Sequence, residues 1–168
     1  MPINSKFKIL ALSLDGAHDD QLQKIYDLNQ ANTPEVGSLE SVDYLHKLIE
    51  LSAYNLLVLK GDEVVGFIIS MREGSAYGSE NYKFFTKKLK KFLYVDRVAI
   101  DERHRREGLG QSIYEDIFKL AKKKNLPIAL EVNTQPINQP SLDFHQKMGF
   151  DQVGVKDFDD HSVAYFIK

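Results

Sequence analysis

The sequence predicts a mixed α/β (α+β) domain with about four helices on the faces of a central sheet of about six or seven strands. Two patterns carry this prediction. Residues 54–59 and 64–71 are strand-like and are joined by KGDE at 60–63, whose glycine suits the tight turn of a β-hairpin. Residues 92–100 and 127–132 are strand-like runs separated by a helical pattern, which indicates a βαβ crossover between parallel strands.

The first part of the chain predicts one strand and two helices. Residues 6–14 alternate loosely between apolar and polar side chains, and the Asp-Gly pair at 15–16 ends this strand. Apolar residues at helical spacing predict helices over 22–29 and 45–52, with Ser41 as the expected N-cap of the second. Neither helix carries a basic face, so a DNA-binding helix-turn-helix is disfavoured.

Residues 73–91 have no clean period, and two interpretations stay open. The segment is polar, aromatic and rich in lysine, and loops of this length within compact domains tend to be functional. The alternative is a solvated insertion with a short helix at 81–90.

The rest of the chain completes the pattern. An apolar stripe over 109–121 predicts the crossover helix. A further helix is expected at 141–148, ended by Gly149, and closing strands are expected at 150–155 and 162–167.

The composition excludes several classes of function. At 168 residues the chain can bury one sizeable core, so we interpret residues 1–168 as a single domain. A net charge of −2 and a pI near 6.2 give no broad positive field, so no nucleic-acid partner is expected. The absence of cysteine excludes a cysteine nucleophile, and the histidine spacing indicates no metal site. No stretch approaches the ~18 apolar residues of a membrane span, so we expect a soluble cytoplasmic protein without a membrane partner.

The stretch RREGLGQS at 105–112 lies where an apolar strand gives way to an amphipathic helix. The first N–H groups of a helix lack intrahelical partners, and the helix dipole favours an anion there. Two glycines let an anion approach the backbone, and Arg103, Arg105 and Arg106 add positive charge. The sequence therefore predicts a ligand with phosphate groups.

Three kinds of glycine loop are candidates for binding this ligand. The Walker string G-x-x-x-x-G-K-[ST] does not occur. The dinucleotide fingerprint G-x-G-x-x-G requires glycine or alanine where Ile113 stands, although the acidic Glu131 follows at about the expected distance; nicotinamide binding therefore stays a minor alternative. The third pattern, R/Q-x-x-G-x-G/A, is matched at every fixed position by residues 105–110.

With this match the sequence resembles the GCN5-related N-acetyltransferase (GNAT) superfamily. The strand RVAI precedes the loop, the helix QSIYEDIFKLAKK follows it, and IALEVN forms the next strand. Further along, the family's N-x-x-[AS]-x-x-F string occurs as Asn138, Ser141 and Phe144, followed by K-x-G-F at 147–150. The resemblance covers residues 92–155 well, whereas the first half matches only in the order of its elements.

The resemblance implies a strongly twisted mixed sheet in which two parallel strands splay apart and hold acetyl-coenzyme A (acetyl-CoA) between them. The pyrophosphate would lie on the glycine loop, and the pantetheine arm would follow the preceding strand. The expected cofactor-binding residues are Val98, Ile100, Arg103, Arg105, Arg106, Glu107, Gly108, Leu109, Gly110, Gln111, Ser112, Asn138, Ser141 and Phe144.

The resemblance also implies direct attack of an amine on the thioester. Many members place a tyrosine directly after the phenylalanine, where it is thought to protonate the leaving thiolate. His145 stands at this position and is the candidate acid, with packing against the helix as the alternative. A carboxylate can take the proton of the amine; Glu131 and Asp96 are the candidates, each with an ion pair as the alternative.

The acceptor is expected to be the primary amine of a small molecule, an amino acid or a peptide. In this family the first two helices and variable loops bind it, and aromatic side chains suit an apolar body. The candidate acceptor-binding residues are Tyr77, Asn81, Tyr82, Phe84 and Phe85, with simple packing as the alternative. Because His145 replaces the tyrosine, a module that binds CoA without turnover is the second hypothesis. Members of the family often pair, so the resemblance allows for a homodimer.

Overall fold

Seven strands build one mixed sheet in the computed structural model, which describes residues 6–15 and 19–168. Within these residues the strands are β1 (Phe7–Ala11), β2 (Tyr54–Lys60), β3 (Glu63–Arg72), β4 (Leu93–Ile100), β5 (Ile128–Gln135), β6 (Asp151–Asp157) and β7 (Ser162–Ile167). They lie in the order β1-β2-β3-β4-β5-β7-β6, and every neighbouring pair is antiparallel except β4 and β5. The predicted mixed sheet is confirmed.

The parallel strands β4 and β5 pair only where they begin. Leu93 opposes Ile128 and Tyr94 opposes Ala129, and beyond these two positions the strands run on without pairing. The crossover through the intervening helix is therefore as predicted, and so is the splay of its two strands.

A bulge in β4 accompanies the splay. Ile69 of β3 opposes Arg97, whereas the next residue, Ser70, opposes Val95, so that Asp96 has no opposite residue. A bulge bends its strand and increases the local twist. The bulge at Asp96 therefore bends β4 near the point where it separates from β5.

Five α-helices cover the two faces of the sheet in the described ranges: α1 (Asp19–Ala31), α2 (Val42–Leu51), α3 (Glu80–Lys88), α4 (Leu109–Lys124) and α5 (Gln139–Lys147). The first three pack on one face, where Ile25, Leu45 and Phe85 enter the core. The other two pack on the opposite face through Ile113 and Ile117 of α4 and partly buried residues of α5. None of these helices is long and apolar enough to cross a lipid bilayer.

The segment between β3 and β4 was open to two interpretations, a functional loop or a solvated insertion, and the structure does not show a solvated insertion. It contains α3, capped by Ser79, whose side chain accepts from the Tyr82 N–H. Tyr82 is 2% exposed and Phe85 is fully buried. The short helix expected at 81–90 is confirmed, but its aromatic residues bury it against the sheet.

The first strand is shorter than the predicted 6–14. β1 ends at Ala11, and Leu12 continues with a backbone hydrogen bond to Asn55. The predicted break at 15–16 includes Gly16, which lies outside the described residues.

Candidate active site

The divergence of β4 and β5 opens a cleft of about 1050 Å³. Residues 95–100 of β4 and 130–133 of β5 form its walls, together with side chains from α4 and α5. Residues 31–38, between α1 and α2, and the β6–β7 turn at 160–161 complete the lining. Small-molecule sites usually measure ~300–1,000 Å³, so the cleft suits a large, elongated ligand.

Backbone N–H groups at the start of α4 lack a capping side chain. Gly108 is the N-cap, with φ of 79°, and glycine offers no side chain to accept from the first turn. The first hydrogen bond within the helix runs from Ser112 N to Gly108 O. The N–H groups of residues 109–111 therefore have no intrahelical acceptor and can bind an anion.

The three predicted arginines differ in their contacts near this helix start. Arg105 lines the cleft, and its Nη2 donates to Asn32 Oδ1 at 2.7 Å. Arg106 is exposed, has φ of 66°, and forms no hydrogen bond or ion pair with the part of the chain that the structure describes.

The side chains of Arg103 and Glu107 are engaged away from the cleft. Arg103 forms ion pairs with Glu63 and Asp101, and its hydrogen bonds lower the pKa of the Asp101 carboxyl to about 2. Glu107 accepts from Lys6 Nζ at 2.9 Å, and this contact and His104 lower its pKa. Cofactor contact by these two side chains stays a prediction that this geometry does not favour.

The side chains of three other predicted contacts at the start of α4 are buried or engaged within the protein. The side chains of Leu109 and Ser112 are buried, and Gln111 Nε2 donates to Glu115 Oε1 at 3.1 Å. Gly110 lies in the cleft wall. A Cβ at this position would lie 3.5 Å from Ile100 Cδ1 and 3.9 Å from Phe144 Cζ, so the space between β4 and α5 admits a methyl group at ordinary van der Waals distances.

The edge of β4 that faces the cleft carries backbone groups without a strand partner. On the other edge, Asp101 N donates to Val65 O of β3 at 2.8 Å. Because N–H directions alternate along a strand, the Ala99 N–H also points to β3. The N–H groups of Val98 and Ile100, both predicted contacts, consequently face the cleft.

The start of α5 forms the opposite wall. Asn138 is the N-cap, and its Oδ1 accepts from Ser141 N at 3.3 Å. Asn138, Ser141 and Phe144 all line the cleft, beside Gly110. The fold therefore brings the two sequence strings of the resemblance together, although they lie about thirty residues apart.

Both ring nitrogens of His145 are engaged within the protein. Nδ1 lies 2.7 Å from the Ser141 carbonyl oxygen, which can only accept, so Nδ1 carries the proton. Nε2 then accepts from the Tyr114 hydroxyl at 2.8 Å. Burial lowers the pKa of His145, and the ring is neutral at pH 7. This geometry favours the packing alternative, and the catalytic role stays a prediction.

Glu131 lines the cleft from β5 and is held by neutral groups. The Tyr94 hydroxyl donates to both carboxylate oxygens, at 2.9 and 2.7 Å, and Asn81 Nδ2 donates to Oε1 at 3.2 Å. The Tyr165 hydroxyl donates to Asn81 Oδ1 at 2.7 Å, which fixes the orientation of the amide. Burial raises the pKa of Glu131 to about 8, although the two hydrogen bonds oppose this shift. The ion pair considered as an alternative does not form with any residue that the structure describes.

Asp96 is the second candidate base. It forms an ion pair, which was the alternative to a catalytic role. Arg97 Nε donates to Oδ2 at 2.8 Å, and the Tyr77 hydroxyl donates to Oδ1 at 2.7 Å. The Asp96 side chain is 4% exposed. Burial and the Asp96 charge raise the pKa of Tyr77 above its ordinary value. The carboxylate is thus less available to a substrate than that of Glu131.

Of the five candidate acceptor-binding residues, only Asn81 lines the cleft. Tyr82 and Phe85 are 2% and 0% exposed, because α3 turns its aromatic face onto the sheet, so acceptor contact by these two stays a prediction that the geometry does not favour. Phe84 stacks on Tyr165, with ring centroids 4.0 Å apart. The hydroxyl of Tyr77 is bound to Asp96 rather than directed into the cleft.

Sequence reasoning missed two further segments that line the cleft. Residues 31–38 and the pair Asp160 and His161 carry no recognisable motif. Asp160 and His161 lie at the cleft because Ser162 of β7 pairs with Gln135 at the end of β5, whereas residues 31–38 are held by hydrogen bonds from Arg97 and Asn133. The buried partners Tyr94 and Tyr114 were missed for the same reason.

A family comparison supports what the cleft suggests. The model of the Acetyltransferase (GNAT) family matches residues 22–150. The chain belongs to this family. The match extends beyond the loop and reaches α1, so the GNAT resemblance is confirmed over most of the sequence. No protein of curated function matches the sequence significantly.

Solved structures share the GNAT fold at low sequence identity. The ribosomal-protein-S18-alanine N-acetyltransferase from Escherichia coli is 14% identical, with a TM-score of 0.68 over 96% of this chain and 92% of that one. Arabidopsis thaliana NAA60, solved with acetyl-CoA, is 13% identical, with a TM-score of 0.71 over 96% and 97%. Arabidopsis thaliana Naa50, solved with the bisubstrate analogue CoA-Ac-MVNAL, is 19% identical, with a TM-score of 0.69 over 97% and 98%.

Proposed function

We propose that this GNAT protein is an N-acetyltransferase that moves an acetyl group from acetyl-CoA to the primary amine of a small molecule, an amino acid or a peptide. One observation carries the proposal: a single cleft combines the uncapped start of α4 with the unpaired edge of β4. The first suits a pyrophosphate and the second suits an extended arm with amide groups. The family match and the neighbours solved with acetyl-CoA or CoA support the same ligand.

The donor groups in the cleft fit acetyl-CoA. The N–H groups of residues 109–111, with Arg105 and Arg106, would hold the pyrophosphate, and Val98 and Ile100 would bind the pantetheine amides. Gly110 lines the same cleft. When bound, the thioester supplies the activated acetyl group. The nitrogen bonds to the acetyl carbon, the carbon–sulfur bond breaks with its electrons on sulfur, and the proton lost by the amine balances the one gained by the thiol.

Glu131 is the best-placed base for the amine. An alkyl amine of pKa near 10 arrives mostly protonated, and a base of raised pKa takes its proton more readily than an ordinary carboxylate. The pKa of about 8 gives Glu131 this property, and Tyr94 and Asn81 hold its carboxylate in place. Asp96 is the weaker candidate because Arg97 already binds it.

The other two tasks fall to β4 and α5. The Val98 N–H, which faces the cleft, can donate to the negative charge that develops on the acetyl oxygen. His145 remains the candidate donor of the thiol proton, and its Tyr114 hydrogen bond would have to open for this role.

A CoA-binding module without turnover is the second candidate, because both nitrogens of His145 are engaged. The two functions are separated by incubating the purified protein with acetyl-CoA and a panel of amines while following free thiol. Calorimetric titration with CoA is the companion measurement. Release of free thiol that depends on the amine supports the transferase. Heat of CoA binding without any thiol release supports the binding module. No heat beyond dilution would contradict both.

A further inference from the structure

The connection between α1 and α2 crosses the cleft; we call residues 32–38 of this connection the strap. On the β4 side, Arg97 Nη1 donates to Gly37 O at 2.9 Å. On the β5 side, Asn133 Nδ2 donates to Pro34 O at 3.1 Å. Three residue steps of chain span at most roughly 10 Å. A short backbone bridge therefore joins the two strands after they have diverged.

The bridge limits the shape of an acceptor. Glu35 and Val36 lie between its two anchors, and Asp160 and His161 of the β6–β7 turn also line the cleft. A path between the strap and this turn would bring an acceptor end-on toward Glu131, which lines the same cleft. A slender aliphatic chain suits this path better than a polypeptide lying lengthwise in the cleft.

The charges around this entrance are unbalanced. Glu35 and Asp160 are exposed carboxylates that line the cleft, and His161 Nδ1 lies 2.7 Å from Asp160 Oδ1. Among the described residues of the lining, Arg97 is the one lysine or arginine near the entrance, and its guanidinium is already bound by Asp96. The remaining lining arginine, Arg105, lies beside the start of α4 and bonds to Asn32.

We propose that the acceptor is an aliphatic amine that carries a second positive charge and has no carboxylate beside the reacting amine. This inference rests on the proposed function. The reacting amine faces Glu131, and the second ammonium group lies between Glu35 and Asp160. A free amino acid is disfavoured because its carboxylate meets no unengaged lysine or arginine among the described residues of the lining and is repelled by the two carboxylates.

Three matched acceptors test the proposal with the full chain. 1,4-Diaminobutane has the second charge, butylamine lacks it, and ornithine adds a carboxylate to the same diamine. We expect kcat/KM for diaminobutane to exceed that for butylamine about tenfold at low salt, because each exposed ion pair contributes roughly a factor of three. Ornithine should fall below diaminobutane, and about 0.5 M salt should shrink both differences.

Two substitutions assign the preference to residues. Glu35→Gln and Asp160→Asn should each lower the ratio of diaminobutane to butylamine activity about threefold. Glu40→Gln and Asp159→Asn are the matched controls, since both residues are exposed on the same two connections but do not line the cleft. Equal activity with all three acceptors, or equal effects of variants and controls, overturns this inference and leaves the transferase intact. A complete lack of thiol release with every amine overturns the proposed function, and this inference with it.

Discussion

Glu131 gives the cleft a measurable pH dependence. Its carboxyl has a pKa of about 8 because burial disfavours the charged form. If it accepts the proton of the amine, kcat/KM should rise with pH and level off above about 8. Asn81→Leu removes a hydrogen bond that stabilises the charged form, so the rise should move to higher pH. Steady-state rates of thiol release between pH 6 and 10 measure this. In Glu131→Gln the levelling-off near pH 8 should be lost, because the rate then follows the fraction of neutral amine, whose pKa is near 10; a levelling-off that persists would assign the base to another group.

His145 offers a second test, because its packing and its chemistry can be separated. His145→Phe keeps an aromatic ring between Phe144 and Phe150 but leaves the buried Tyr114 hydroxyl without its acceptor. We expect a loss of ~1–3 kcal/mol in the free energy of unfolding, measured with urea, and slower turnover with CoA affinity nearly unchanged. The double variant with Tyr114→Phe should recover part of the stability. A turnover rate that stays unaltered in both variants would show that another group or water protonates the thiol.

The glycine loop at the start of α4 carries the cofactor assignment. Gly110 lies within the helix, so replacing it with another residue improves helix propensity by up to ~1 kcal/mol. Gly110→Trp should nevertheless abolish CoA binding, because its side chain fills the gap between Ile100 and Phe144. Gly110→Ala is the control: its Cβ makes ordinary van der Waals contacts, and most of the affinity should remain. Calorimetry gives both affinities, and undiminished binding by the tryptophan variant would remove the pyrophosphate from this loop.

The elements that could be predicted from the sequence are those with local signals. The hairpin turn, the stripe of α4 and the string at 105–110 depend on neighbouring residues, so one chain was sufficient to predict them. The site around Glu131 depends on contacts with Asn81 and Tyr94, 50 and 37 residues away, and no pattern in a single sequence reports such distances. The burial of the aromatic residues of α3 could not be predicted either, because their spacing alone does not distinguish a face buried against the sheet from a face that binds an acceptor.

The whole fold organises the cleft through the divergence of β4 and β5. The bulge at Asp96 turns β4 away, and Arg97, the next residue, binds the strap. The same side chain thus joins the bent strand, the Asp96 carboxylate and the connection that covers the cleft. The proposed cofactor groups lie on the α4 side of the cleft, which the strap reaches through Asn32, the acceptor for Arg105. Pro34 and Gly37 anchor the strap over the other side, so a change at the Pro34 anchor should act mainly on the acceptor.

Asn133, the anchor of the strap on β5, tests this separation of acceptor binding from cofactor binding. Asn133→Ala removes the hydrogen bond to Pro34 O and frees one end of the bridge. We expect the KM for the amine to rise about fivefold, in line with a hydrogen bond worth ~1 kcal/mol, while the affinity for CoA stays the same. Gln139→Ala is the control, because it also removes one exposed hydrogen bond, to Asp143, but does not touch the strap. Steady-state kinetics and calorimetry provide the two constants. An equal loss of CoA affinity would contradict the separation, because it would mean that the strap supports the cofactor side as well.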